Sequence, residues 1–323
     1  MVLQKRPLLL QAPMEDVTDT AFRQMLAYVG GPDIYFTEFT NVDGVFSEGR
    51  KRVIHRLKFN SEVERPIIAQ IWGHNPENYY EGAKYVKKLG FDGVDINLGC
   101  PQKKVVGKGL CAALIENHEH AAKIINATID GANGMPVSVK TRIGVGEIIT
   151  EEWIRFLLGY DLAAITVHGR TVKEKSNVPC HWDEIGLAVR LRDRAKSKAL
   201  IIGNGDVKTH HEALQKAKKY GVDGVMIGRG MLENIQIFVP DDKKRPLTVP
   251  RRLELLKKHL ELFERSWTGT KKAKVFRKYV RIYIKKYDGA KELRTKLMEC
   301  QTIEEMRAAV HRAASEQKQG SSQ

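Results

Sequence analysis

The sequence is poor in cysteine, with four in 323 residues: Cys100, Cys111, Cys180 and Cys300. None forms a Cys-x-x-Cys pair, which excludes a zinc ribbon and a disulfide framework and leaves no metal site to expect. That usage suits a reduced, cytoplasmic setting. Long apolar runs are missing as well. Pro7 to Leu10 is too short for the core of a secretory signal, and no stretch approaches the ~20 apolar residues that span a bilayer, so no membrane partner is expected. No Gly-x-Gly-x-x-Gly opens a strand-turn-helix unit and no P-loop lysine is present, which argues against a dinucleotide fold and an NTPase cradle. Acidic residues are the minority charge: 39 Asp and Glu stand against 54 Lys and Arg, a net +15 that favours a polyanionic partner.

What is present is a recurrence of short apolar, β-branched runs. They are Leu8 to Ala12, Ile34 to Glu38, Pro66 to Ile71, Val94 to Asn97, Val137 to Lys140, Ala164 to His168, Leu200 to Asn204 and Gly224 to Gly228. Near-continuous apolar runs suit strands buried on both faces. Helical periodicity fills the gaps, as in Glu77 to Leu89, Glu119 to Ile129 and His210 to Tyr220. Asn75-Pro76-Glu77 and Thr150-Glu151-Glu152 read as helix starts with a capping residue ahead of an acidic first turn. Eight such units predict an α/β fold, a (β/α)8 TIM barrel. The pattern predicts a barrel over residues 1–240, a Pro-rich linker over 241–250, a small all-α domain over 251–318 and a disordered tail over 319–323. The helical stretch contains no proline and carries a net +10, most of the excess charge.

Several strands end on a polar residue: Gln70, Asn97, Lys140, His168 and Asn204. A barrel strand normally carries Val, Ile or Leu, so five polar ends at one rim point to one ligand pocket. Gly203-Asn204-Gly205-Asp206 and Gly228-Arg229-Gly230 follow the seventh and eighth strands, the usual phosphate site of such barrels. With no dinucleotide motif, the phosphate fits a mononucleotide such as FMN. Lys140, with Arg142 two residues on, offers the cation that stabilises a reduced, anionic flavin ring.

Asn97-Leu98-Gly99-Cys100-Pro101 places a thiol where a strand becomes a loop. Cys100 reads as a buried small hydrophobe, as half of a redox pair with Cys111, or as a catalytic thiol; the strand-end position suits the last best. Packing is the expected role of Cys111. In the tail, Lys271, Lys272, Lys274, Arg277, Lys278, Arg281, Lys285 and Lys286 interleave with Phe276, Tyr279, Tyr283 and Tyr287. The Tyr spacing makes an apolar face expected in a core, and the cations suit phosphate-backbone contact without base readout.

Across residues 7–315 the chain resembles the tRNA-dihydrouridine synthases. The resemblance rests on Ala12-Pro13-Met14-Glu15-Asp16-Val17-Thr18-Asp19, Asn97 to Pro101, Val139-Lys140-Thr141-Arg142-Ile143-Gly144, His168-Gly169-Arg170-Thr171 and the two glycine motifs. It implies an FMN-dependent oxidoreductase that takes electrons from NADPH or NADH, reduces the C5–C6 bond of uridines in tRNA and works as a cytoplasmic monomer. By position it implies that Pro13, Met14, Gln70, Lys140, His168, Asn204, Gly205, Asp206, Gly228 and Arg229 hold the flavin. Asn97 and Arg142 would hold the uracil, and Cys100 would be the general acid. An ordinary thiol pKa near ~8.5 would keep that acid protonated at neutral pH. Glu174 and Ser176 stand where many members carry Gln and Tyr. The same scaffold also serves reduction or oxidation of a free pyrimidine, dihydroorotate-like, and the same chemistry on ribosomal RNA; the basic tail favours RNA.

Overall fold

The computed structural model describes residues 7–320, with the side chains of 318–320 outside that description. Nine parallel strands form one sheet: β1 (Leu8–Gln11), β2 (Tyr35–Phe36), β3 (Thr40–Asn41), β4 (Ile67–Trp72), β5 (Gly93–Leu98), β6 (Val137–Arg142), β7 (Ala164–His168), β8 (Leu200–Asn204) and β9 (Gly224–Ile227). The order is β1-β9-β8-β7-β6-β5-β4-β2, and a bridge between Leu10 and Ile34 brings the two ends together. The barrel is therefore nearly closed, as eight βα units predict. The run Ile34 to Glu38 is a correction: it breaks after Phe36 and resumes as β3, and both pieces pair with β4.

Aspartates pin the starts of three strands. The Leu9, Ile67 and Ile201 N–H groups donate to the carboxylates of Asp33, Asp92 and Asp223, at 2.7, 2.7 and 2.8 Å. Each bond satisfies a strand-end donor that pairing leaves over. Among the helices, Pro76–Lys88 starts as expected, with the Asn75 side chain accepting from the Glu77 N–H. Thr150 does not cap. It is the first helical residue, and its hydroxyl is buried without a partner among the described residues.

Side chains alternate between the two faces of each strand. The inward-facing set at the lower barrel is apolar: Leu8, Leu10, Ile34, Phe36, Ile68, Ala164, Leu200, Ile202 and Met226 pack together. Following the alternation up each strand gives a polar upper set of Gln70, Asn97, Lys140, Arg142, His168 and Asn204. Two strands break the lower layer: the fully buried Asp95 faces inward from β5 and Ser138 from β6.

The chain divides into two compact units that do not follow chain order. One comprises residues 1–19 and 32–230, the other 20–31 and 231–323. The helix Thr20–Val29 thus belongs with the C-terminal helices, where the Phe22 ring stacks on Tyr279 at 5.5 Å. Aromatic burial explains that exchange, because Phe22, Tyr279, Tyr283 and Phe276 are all buried beside His259. The second unit holds the helices Val249–Trp267, Arg277–Tyr283, Ala290–Glu299 and Ile303–Gly320. Residues 319 and 320, expected in a disordered tail, end the last helix, and 321–323 lie outside the described residues. Among the described residues no helix is long and apolar enough to cross a membrane.

Candidate active site

Cys100 follows β5 directly and is 8% exposed. Its loop is held from two sides. Asn97 Oδ1 accepts the N–H groups of Gly99 and Cys100, each at 3.0 Å. From β6, Arg142 Nε donates to Gly99 O at 2.7 Å, and another guanidinium nitrogen donates to Thr171 O at 3.2 Å. Arg142 therefore ties the Cys100 loop to the loop that follows β7.

Beneath this loop lies a hydrogen-bonded chain inside the barrel. Asn97 Nδ2 donates to Gln70 Oε1 (3.0 Å), and Gln70 Nε2 donates to Asp95 Oδ2 (2.6 Å). Ser138 Oγ donates to the other Asp95 oxygen at 2.6 Å. The chain has one polarity throughout: acceptors at the carboxylate, donors at the loop. Asp95 was legible in sequence only as a charge inside the run Gly93-Val94-Asp95-Ile96.

Burial raises the Asp95 carboxyl to about 6, against the pull of Ser138, Gln70 and Lys140. A raised carboxyl favours folding fully below the unfolded-state value near ~4, and that contribution is lost as pH rises through about 6. Wild type is thus expected to lose about 2 kcal/mol relative to Asp95→Asn between pH 4 and pH 8. Urea unfolding of both proteins at the two pH values checks this, and a constant difference would refute it.

Lys140 and His168 face the same rim, and their side chains make no hydrogen bond among the described residues. Burial lowers the half-buried lysine to about 8, helped by the charge of Arg142 and opposed by Asp95. Burial, then the cations Lys140, Arg142, Arg170 and Arg229, push the His168 imidazole well below its usual range, so it is neutral at pH 7.

Further round the same rim, Gly205 has φ +138°, and a Cβ there would collide with Cys180 Sγ, so only glycine fits. At Gly228 a Cβ would meet only Ala12 Cβ and Met14 Sδ, at 3.6 and 3.7 Å, so packing does not demand glycine there. Its lack of a side chain leaves room beside the Pro13-Met14 turn, which the Thr18 hydroxyl closes on the Met14 N–H at 2.9 Å. Asn204 Nδ2 donates to Met226 O at 2.8 Å and joins β8 to β9.

Asp206 lies between two arginines. Its carboxylate pairs with the buried Arg170 and, at 3.3 Å, with the exposed Arg229, and it also accepts the Cys180 N–H. A carboxylate so engaged aims Arg229 instead of meeting an anion itself. Arg170 was quoted only within a motif, yet it is 2% exposed and also donates to Val178 O. In the same loop Glu174 accepts from the Thr171 N–H and pairs with His181 at 2.8 Å.

Cys111 was assigned to packing. It is buried. The neighbouring Cys111 thiol, more than burial opposes it, lowers Cys100 to about 7. The ordinary thiol value expected from the sequence is therefore corrected downward.

A parallel βα barrel with a thiol, a partnerless lysine and a neutral histidine along its C-terminal rim is a flavin-type oxidoreductase scaffold, with reacting groups at the strand ends. The sequence model of the family described as dihydrouridine synthase (Dus) matches residues 10–319, and the chain belongs to that family. It is 42% identical over 306 residues to a probable tRNA-dihydrouridine synthase of Staphylococcus aureus (strain MRSA252), covering 94% of this chain and 92% of the relative. To a probable tRNA-dihydrouridine synthase 2 of Bacillus subtilis (strain 168) it is 40% identical, with 94% and 93% covered. Among solved structures, the old yellow enzyme from Trypanosoma cruzi matches with TM-score 0.52 at 13% identity, covering 84% of this chain and 97% of that one. At that identity the likeness concerns the barrel alone.

Proposed function

We propose that this protein is a tRNA-dihydrouridine synthase that uses FMN and NADPH or NADH, acts on tRNA in the cytoplasm and is a monomer. The observation that carries the reading is Cys100, fixed by Asn97 and Arg142 at the rim that Lys140 and His168 also line. The residues fit a flavin mononucleotide. Lys140 lacks a hydrogen-bond partner among the described residues and suits the N1–O2 edge. Pro13, Met14 and the open side of Gly228 suit a ring edge, with Asn204, Gly205 and Arg229 at the phosphate. Gln70 has one amide N–H left after Asp95 for the ring, and His168 serves as a neutral donor or acceptor beside it. When bound and reduced, the flavin supplies a hydride to C6 of the uracil.

The chain's own residues do the rest. Asn97 holds the Cys100 loop and keeps one N–H for the base, while Arg142 braces the loop with its charge toward the uracil oxygens. Cys100 gives its proton to C5, where negative charge accumulates as C6 is reduced. A target base must leave its stack to reach a barrel mouth. The basic 251–318 helices supply sequence-independent phosphate contacts. The test is mapping of dihydrouridine in RNA from cells with and without the protein, alongside turnover of free uracil and dihydroorotate. Loss of dihydrouridine at defined tRNA positions is expected. Unchanged tRNA, or free pyrimidine turned over as fast as tRNA, would overturn the reading.

A further inference from the structure

Asp95 has no part in the reaction as proposed, yet it is fully buried in a barrel layer that is otherwise mostly apolar. The strand register sets what surrounds it. Asp95 on β5 pairs with Gln70 on β4 and with Ser138 on β6, so three polar side chains meet at one level. Asn97 stands two residues above Asp95 on the same face of β5. Gln70, Asp95 and Asn97 are 1%, 0% and 6% exposed, so their polar atoms must find partners inside the barrel or on a bound ligand.

A side-chain amide can be turned end for end with almost no change of shape, which leaves its direction to its neighbours. Here both ends of the chain are fixed. The Gly99 and Cys100 N–H groups can only donate, and Asn97 Oδ1 accepts both at 3.0 Å. Asn97 Nδ2 therefore points to Gln70 Oε1, at 3.0 Å. Gln70 Nε2 must then find an acceptor below it, and Asp95 Oδ2 lies 2.6 Å away. An ionised carboxylate can only accept, and the other Asp95 oxygen takes the Ser138 hydroxyl at 2.6 Å. An apolar side chain at 95 would leave Gln70 Nε2 with no acceptor. Gln70 would then be free to turn, which sets its nitrogen against that of Asn97 and withdraws the oxygen that holds Asn97.

We propose that Asp95 is a positioning residue that fixes the direction of the Gln70 and Asn97 amides and, through them, the loop that carries Cys100. Each amide oxygen is engaged within the chain, so what Gln70 and Asn97 have left for a ligand is one N–H apiece. The pocket therefore favours ring edges that carry acceptors, such as the carbonyl oxygens of a flavin or a uracil; this point rests on the function proposed above. Ser138 adds tolerance, because a hydroxyl both donates and accepts. It can receive the proton of a neutral Asp95 while the other carboxyl oxygen still takes Gln70 Nε2. By the same reasoning an asparagine serves at 95, with Oδ1 toward Gln70 and Nδ2 toward Ser138 Oγ.

The test is amide hydrogen exchange of the flavin-loaded full chain, read on the peptide carrying Gly99 and Cys100, beside single-turnover reduction of tRNA. The variants are Asp95→Leu, Asp95→Asn and Gln70→Met, the last breaking the chain at its middle. In Asp95→Leu, exchange at Gly99 and Cys100 is expected to quicken on the order of tenfold while exchange in β8 stays as in wild type. Single-turnover tRNA reduction should fall by a similar factor. Gln70→Met should give the same local quickening, and the double variant no more than either alone, because both act through one chain. Asp95→Asn keeps an acceptor and should stay within about twofold of wild type in both readings. Unchanged exchange at Gly99 and Cys100, quickening spread evenly into β8, or additive effects in the double variant would overturn the proposal. Should Asp95→Leu not fold, Gln70→Met and Asp95→Asn decide it by the same readings. Exchange needs no turnover, so it judges the positioning role even where tRNA proves not to be the substrate.

Discussion

Replacing Cys100 with Ala is expected to slow tRNA reduction by the pre-reduced enzyme roughly 10²–10⁴-fold, while flavin reduction by NAD(P)H continues at the wild-type rate. The split follows from where the thiol acts. Proton donation to C5 belongs to the step on the base, and no proton from Cys100 is needed to load the flavin. Removing a side chain that is 8% exposed leaves only a small void, and the loop stays tied by Asn97 and Arg142. Loss of fold is therefore not the expected result, and the flavin spectrum checks it. The pH profile adds a second signature. With the thiol lowered to about 7 and protonation required, the single-turnover rate should be flat below that value. Above it, the rate should fall about tenfold per pH unit. Rapid-mixing measurement of each half-reaction decides the matter. Equal losses in both half-reactions, or no alkaline limb, would sink the acid role.

Lys140→Met is expected to give the complementary split, with flavin reduction slowed on the order of 10²–10³-fold. A two-electron potential lowered by ~60 mV would account for the hundredfold end of that range. Lys140 is a cation with no hydrogen bond among the described residues, and burial has lowered it to about 8. Enclosing it costs stability to the protein alone. Because its folded value is depressed, its favourable contribution is present above the unfolded-state value and lost as pH falls through about 8. At pH 7 the methionine variant should thus resist heat at least as well as wild type, yet reduce poorly. That combination separates a functional charge from a structural one. A potentiometric titration showing an unshifted potential, with normal reduction, would refute the assignment to the flavin edge.

Much of the scaffold was legible because its signals are local. The apolar runs marked β1 and β4 to β9 to within about two residues, since strands buried on both faces need little else. The polar strand ends Gln70, Asn97, Lys140, His168 and Asn204 could be placed on one rim, because parallel strands share a direction. The split of β2 from β3 was not legible. It depends on how both pieces meet β4, a pairing between residues some 30 positions apart. Nor was the membership of Thr20–Val29, which follows from Phe22 meeting Tyr279 across more than 250 residues.

The site divides in the same way. Residue types and order alone determined that a thiol, two cations and a histidine lie at the strand ends of a (β/α)8 barrel, and that the excess positive charge lies in the C-terminal helices. Only the tertiary structure decided what those groups do to one another. It turned Asp206 toward Arg170 and Arg229, and joined Asp95 through Gln70 and Asn97 to the Cys100 loop. The reason is physical. A strand's period and a glycine's position act over a few residues. A buried charge, a hydrogen bond's direction and a thiol's acidity are set by whichever groups the closed barrel brings within a few ångströms, and neighbours in space need not be neighbours in sequence.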